Sequence, residues 1–225
     1  MHRDDPPIAG PTAVVFDIGN VLIAWDPRHL YRKLFAGDAA RMEWFLREVC
    51  PPSWNAEQDR GRPWAEAIAA ATARHPELAA EIASYRTRWH EMVPGEIGPS
   101  VALLRALAAR GVPLYAITNF AADTFAEVTA RFDFFSLFRG IVVSATERVI
   151  KPAPEIFHLL AARHGLALAR CLFIDDVPAN VAGAQAVGMH AHHFVTPQAL
   201  QAELERHGLL PAPPTKGVAS PAAKP

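Results

Sequence analysis

The chain has 225 residues, 51% of them apolar, and a formal net charge of −1. That length suits one large domain, or a core domain carrying a smaller insert, and the balance excludes disorder of the whole chain and a basic nucleic-acid footprint. No apolar run approaches the ~20 residues needed to span a bilayer, which excludes a membrane helix.

Residues 1–11 are polar and proline-rich, lack the apolar segment of a signal peptide, and read as a loose leader. A first strand is expected near 12–17, where Ala13-Val14-Val15-Phe16 runs into Asp17. Residues 18–26 (IGNVLIAWD) hold Gly and Asn and then alternate apolar with polar, which predicts a turn and a small hairpin. From 27 to 95 the composition shifts to Ala, Arg, Glu and Trp with helical spacing: Leu30, Leu34 and Phe35 share one face, and Trp64, Ile68 and Ala71 another. Pro51-Pro52 breaks this stretch, and Pro94-Gly95 with Gly98-Pro99 closes it as a hinge.

Beyond residue 96 helices and strands alternate: helix 98–110, strand 113–118, helix 121–131, strand 140–143, helix 153–164, strand 170–175, helix 178–187, strand 190–195 and helix 197–207. Such alternation predicts a doubly wound α/β fold on a parallel sheet. Residues 12–26 cannot fold alone and must join that sheet. The expected organisation is therefore a core of 12–26 and 96–208, a helical insert at 27–95 and a disordered tail at 209–225, rich in Pro, Ala and Lys. Cys50 and Cys171 lie far apart in no metal or redox spacing. Cys171 precedes a buried strand and suits a core position, and a reducing cytoplasm is the default setting.

Three of the apolar runs end on polar residues: Asp17, Thr118-Asn119 and Asp175-Asp176. In open α/β sheets ligands bind beyond the carboxyl ends of the strands. Three carboxylates, a hydroxyl and an amide converging there suit a hard cation and an anionic substrate. Taken singly, each residue has a plain structural role: Asp17 as a turn cap, Thr118-Asn119 and Asp175-Asp176 as helix caps, Asn180 as a first-turn polar residue, Lys151 as a solvated lysine.

In order and spacing, Asp17-Ile18-Gly19-Asn20-Val21, Thr118-Asn119, Lys151-Pro152 and Asp175-Asp176 resemble the four motifs of the haloacid dehalogenase superfamily. The resemblance covers roughly residues 12–195. Within that superfamily the chain is most similar to subfamily IA, whose helical cap sits where this insert does, and to the D-x-G-N-V group that includes bacterial sugar-1-phosphate phosphatases. The resemblance implies a Rossmann-like core with Asp17 as nucleophile, forming an acyl-phosphate that splits one hard displacement into two. It implies Mg²⁺ held by Asp17, the Gly19 carbonyl and the Asp175-Asp176 pair. It further implies Thr118 and Asn119 on the phosphoryl oxygens, Lys151 neutralising charge, and Asn180 orienting a metal ligand. Asn20 belongs to the first motif and is expected at the substrate.

One position departs from the pattern. Most phosphatases of the superfamily carry a second Asp two residues after the nucleophile, which protonates the leaving oxygen and later activates water. Here that residue is Gly19. A general acid–base is typically worth ~10²–10⁴-fold, so a cap residue or water has to supply the proton. The same departure raises a metal-independent 2-haloacid dehalogenase as the alternative, and a low-turnover binding or regulatory protein as another. An acidic pair beside Asp17 is costly without a cation, which favours Mg²⁺ and hence phosphate.

At the exit from the expected hairpin, Trp25, Asp26, Arg28 and His29 fall near the expected site mouth. The polar run Trp54-Asn55-Ala56-Glu57-Gln58-Asp59-Arg60-Gly61 offers Asn55, Glu57, Asp59 and Arg60 to sugar hydroxyls or phosphate. Trp44, Phe45, Trp64 and Trp89 are expected to pack the insert rather than to touch substrate. His190, His192 and His193 alternate across the last strand and do not converge on a metal. The expected function is a cytoplasmic Mg²⁺-dependent phosphatase acting on a small phosphorylated metabolite, such as a sugar phosphate, as a monomer or homodimer.

Overall fold

The computed structural model describes residues 10–212. Five strands form one parallel sheet: β1 (Ala13–Phe16), β2 (Leu114–Thr118), β3 (Gly140–Val143), β4 (Cys171–Asp175) and β5 (His190–His193), in the order β3-β2-β1-β4-β5. β1, β2 and β4 are buried along their whole lengths, as expected of short apolar runs covered on both faces. Phe16 pairs in register with Ala116 on one side and Ile174 on the other. Asp17 therefore leaves the middle of the sheet level with the ends of β2 and β4. The chain builds outward from β1 to β3 and then crosses back to β4, so the sheet reverses direction beside β1, the kind of crevice in which α/β proteins bind ligands.

The insert holds five α-helices: α1 (Arg28–Leu34), α2 (Ala39–Trp44), α3 (Pro52–Asp59), α4 (Trp64–Arg74) and α5 (Ala79–Thr87). Asp38 caps α2 by accepting the Arg41 N–H, and proline fits the first turn of α3. The core adds α6 (Gly98–Ala109), α7 (Ala122–Arg131), a short α8 (Ser144–Glu147), α9 (Pro154–His164), α10 (Pro178–Ala186) and α11 (Pro197–Arg206).

Alternation along the strands divides the apolar interior in two. Val14 and Phe16 face a cluster that runs on through α6 and the cap, where Tyr31, Phe45, Trp54, Trp64 and Tyr85 pack together. Ala13, Val15, Cys171 and Phe173 face α9 and α10. Cys171 is thus a core residue, and Cys50 is buried in the cap.

Two expectations change. Residues 18–26 do not close on themselves as a hairpin ladder. They carry isolated bridges, Gly19 to Ile23 and Ile23 to Glu96, because this segment pairs with the returning chain: Ile97 N–H donates to Leu22 C=O and Ala24 N–H to Gly95 C=O. The two crossings between core and cap are thereby stitched together. Second, the expected tail begins too early at 209. Leu209 and Leu210 are buried, and Arg110 Nε donates to the Leu209 carbonyl at 3.0 Å. Residues 213–225 of that tail, and 1–9 of the leader, lie outside the described residues.

Gly183 on α10 lets that helix approach the loop after α8. A Cβ there would lie 2.7 Å from the Pro152 carbonyl oxygen and 2.8 Å from its Cβ. Gly183→Ala is expected to lower unfolding free energy by about 1–3 kcal/mol, the usual cost of overpacking, in a denaturant titration; unchanged stability would show that the loop yields freely.

Candidate active site

Asp17 follows directly on β1, and its Oδ1 accepts the Ile18 N–H at 2.7 Å. Lys151 Nζ lies 2.8 Å from the same oxygen and donates to Asp175 Oδ2 at 2.6 Å, so one ammonium bridges two strand ends. All three side chains are removed from water, Lys151 being 2% exposed as a residue. The lysine is held there by Asn119. Its amide oxygen accepts the Lys151 N–H at 2.8 Å, and its Nδ2 donates to the Lys151 carbonyl at 3.2 Å. The side-chain amide expected on the phosphoryl group is therefore engaged in positioning the lysine loop. Thr118, buried at the end of β2, lines the site beside it.

The acidic pair divides its work. Asp175 accepts from Lys151, from Asn180 Nδ2 at 3.0 and 3.1 Å and from the Val177 N–H at 2.8 Å, so both its oxygens are occupied. Asp176 is half-buried, and the Asn20 side chain donates to it. Asn20 adopts a left-handed backbone (φ 53°) and accepts the Trp25 N–H at 3.0 Å. It is thus a turn and bridging residue on the rim. His193 Nε2 sits 3.0 Å from the Asp176 carbonyl oxygen, away from His190 and His192.

Carboxylate oxygens of Asp17, Asp175 and Asp176 can all lie within 4.8 Å of one another. Three carboxylates against one ammonium leave an excess of negative charge in a dry place. Burial pushes Asp17 well above the ordinary carboxylate range, and Asp175 and Asp176 add to this while Lys151 opposes it. Burial and the adjacent Asp175 likewise raise Asp176. Burial alone would lower Lys151, but Asp17 and Asp175 more than reverse it and keep it charged. An all-oxygen set with surplus negative charge fits a hard divalent cation such as Mg²⁺.

A narrow cavity of about 110 Å³ lies over Asp17 and Gly19. Its core side is Thr118, Asn119, Phe120, Ala121 and Thr124, the cap side is Asn55, Asp59, Trp64 and Trp89, and Trp25 lies on the segment that leads from β1 into the cap. A wider cavity of about 540 Å³ shares Trp25 with it and is lined by Asn20, Asp26, Arg28 and His29 among others. The cap is tied down around the narrow cavity. Trp64 Nε1 donates to Asp123 at 3.0 Å, Arg86 pairs with Asp123 and Glu127 at 2.7 and 2.8 Å, and Ser144 Oγ donates to the Asp59 carbonyl at 2.6 Å.

Of the polar run in the insert, Asn55 and Asp59 reach the cavity and are joined by an Asn55 Nδ2 to Asp59 Oδ2 bond of 3.1 Å. Burial pushes the Asp59 carboxyl up to about 7; Asp17 adds to the shift, and Lys151 and the Ala121 main chain oppose it. Arg60 is not brought to the cavity. It is exposed and pairs with Glu57 at 2.6 Å, one turn back on the outer side of α3. Trp64 and Trp89, expected only to pack the insert, do both: each is buried in the core and lines the cavity. Phe120 also lines it, with no motif to mark it beyond its place directly after Asn119.

A model for the haloacid dehalogenase-like hydrolases matches residues 11–188. The chain is 36% identical over 104 residues to the sesquiterpene phosphatase AstK of Aspergillus oryzae, a match spanning 46% of this chain and about half (53%) of that relative. Among solved structures, a HAD family enzyme of Bacteroides thetaiotaomicron in complex with magnesium aligns at TM-score 0.63 and 20% identity over 81% of this chain and 92% of its own. The L-2-haloacid dehalogenase of Xanthobacter autotrophicus with covalently bound chloropropionic acid aligns at 0.59 and 21% over 89% and 85%. Both share the fold, so fold alone does not choose between the two chemistries.

Asp59 starts from an ordinary value of 3.8 and rises to about 7 on folding. The folded chain holds that proton more tightly than the unfolded one, so the stability this contributes is complete below about 3.8 and is lost as pH rises through about 7. In thermal melts with EDTA, the chain is expected to melt lower at pH about 8 than at about 5.5, with a smaller difference in Asp59→Asn. An equal difference in the variant would contradict the assignment.

Proposed function

This chain belongs to the haloacid dehalogenase-like hydrolase family, and we propose that its reaction is the Mg²⁺-dependent hydrolysis of a phosphate monoester. The observation that carries this reading is the acidic cluster of Asp17, Asp175 and Asp176 around a single buried lysine. A dehalogenase mechanism needs no such excess of carboxylate, which is costly to bury without a cation.

Asp17 is the nucleophile. Its Oδ1 is fixed by the Ile18 N–H and Lys151, which orients the carboxylate and leaves Oδ2 to attack phosphorus. The residues that would hold the metal are Asp17, Asp176 and the Gly19 carbonyl; Asp175, with both oxygens occupied, fixes Lys151 instead. When bound, Mg²⁺ offsets charge on the carboxylates and on the phosphoryl oxygens. The Thr118 hydroxyl and the Asn119 main-chain N–H are the donors for those oxygens, and Lys151 stabilises the charge that develops on them. Asn180 holds Asp175 in place.

The cavity walls bear on the leaving group. Trp25, Trp64, Trp89 and Phe120 offer apolar faces, and the polar side chains on the cap side are Asn55 and Asp59. A sugar would leave most of its hydroxyls against indole rings, whereas a hydrophobic alcohol buries apolar surface. We therefore favour a terpenoid-like phosphate monoester over the sugar phosphate, in keeping with the activity for which the Aspergillus oryzae relative is named. The wider cavity beside Trp25 offers room for a tail.

Phosphate release from farnesyl monophosphate, a sugar 1-phosphate and p-nitrophenyl phosphate tests this, with Mg²⁺ or EDTA. Release is expected to require Mg²⁺ and to fall to background in Asp17→Asn and Asp176→Asn. The farnesyl ester is expected to exceed the sugar ester in kcat/KM by about 10²-fold, the worth of burying three or four methylenes. The opposite preference would return the substrate to the sugar phosphates. Halide release from a 2-haloacid without metal, and no phosphate release, would overturn the phosphatase reading.

A further inference from the structure

We propose that Asp59 of the cap is the proton carrier of the reaction, in place of the side chain that Gly19 lacks. This rests on the phosphomonoesterase reading above. Asp17 and Asp59 are the only titratable side chains among the residues that line the narrow cavity, and Asp17 is engaged as nucleophile. Asp59 faces the site from the opposite domain, at the C-terminal end of α3. Its position is set from two sides: Asn55 Nδ2 donates to its Oδ2, and Ser144, the first residue of α8, donates to its main-chain carbonyl. Gly61, two residues on, has φ +97°, and a Cβ there would come within 2.9 Å of the Ala145 carbonyl oxygen. The turn that carries Asp59 is therefore seated directly on the core. The charged groups that act on its carboxyl are Asp17, Lys151 and Arg60, and no lysine or arginine is paired with it at salt-bridge distance among the described residues. A carboxyl raised to about 7 suits proton transfer near neutral pH.

In the first step protonated Asp59 gives its proton to the ester oxygen as the phosphorus–oxygen bond breaks. The alcohol leaves, and the phosphoryl group is now bonded to Asp17. In the second step the Asp59 carboxylate takes a proton from water as the water oxygen bonds to phosphorus. The bond to Asp17 breaks, inorganic phosphate leaves, and both aspartates return to their starting forms.

The test compares leaving groups in the full chain with Mg²⁺. p-Nitrophenolate leaves without a proton, whereas an alkoxide needs one. In Asp59→Asn, which keeps the shape and the Asn55 bond, kcat/KM for an alkyl phosphate such as farnesyl monophosphate is expected to fall by about 10²–10⁴-fold. For p-nitrophenyl phosphate it is expected to fall by less than about 10-fold. A Cβ at Gly19 meets nothing within 4 Å, so Gly19→Asp adds a carboxyl without a clash. The Gly19→Asp, Asp59→Asn double variant is expected to regain alkyl phosphate turnover over Asp59→Asn alone. Equal losses on both substrates, a change in KM only, or no loss on the alkyl phosphate would overturn the role of Asp59 while leaving the phosphatase reading intact. A wild-type chain inactive on both substrates would overturn the two together.

Discussion

The buried ammonium of Lys151 is the charge on which the site is built. Asp17 and Asp175 end neighbouring strands with their carboxylates out of water, and one lysine bonds both. Losing one partner of such a pair strands a charge, at a typical cost of about 3–5 kcal/mol. The surrounding structure is arranged to keep the lysine in place. Asn119 grips its main chain from β2, Asn180 and the Val177 N–H hold Asp175 from α10, and Gly183 allows α10 to press on Pro152. All four motifs in this chain thus serve one buried cluster of Lys151 and its two carboxylates before they serve a substrate. The remaining negative charge, centred on Asp17 and Asp176, is the part that calls for a cation.

The cap completes what the core leaves open. The core supplies Asp17, Lys151 and the acidic pair, but at Gly19 it presents only backbone. The cap brings Trp64 and Trp89 as walls beside Trp25, and Asn55 and Asp59 as polar groups, and is anchored to the core through Arg86, Trp64 and the Asp59 carbonyl, which accepts from Ser144. Packing and cavity lining therefore fall to the same residues: Trp64 packs against Tyr85 in the cap interior and also faces the cavity. A change in leaving-group preference would have to pass through the cap's own core.

Much of this is legible in the sequence because parallel strands buried on both faces are short apolar runs with abrupt polar ends. The ends at Asp17, Thr118 and Asp175 stand where the runs stop, and the structure aligns them through the register of β1 with β2 and β4. What is illegible depends on partners distant in sequence. Ile23 alternates like a hairpin residue but pairs with Glu96, seventy-odd positions on. Arg60 and Asp59 are adjacent, yet only Asp59 faces inward, a difference of about 100° around α3 that local composition does not reveal. Trp64 and Trp89 read as packing because a buried indole looks the same whether its other face meets a neighbour or an empty cavity. Asn119 looks like a phosphate ligand until Lys151, thirty-two residues later, is seen to occupy its amide.

That Asp17 accepts a phosphoryl group is tested most directly by trapping it there. Enzyme with Mg²⁺ and excess of a monoester carrying a radiolabelled phosphoryl group would be quenched in acid during turnover, and the peptide containing Asp17 isolated. A hydroxylamine-labile phosphoryl group on that peptide, absent in Asp17→Asn, is the predicted result. Phosphate release with no label on the chain after a quench during the first turnover would mean that water attacks the substrate directly and would contradict the account.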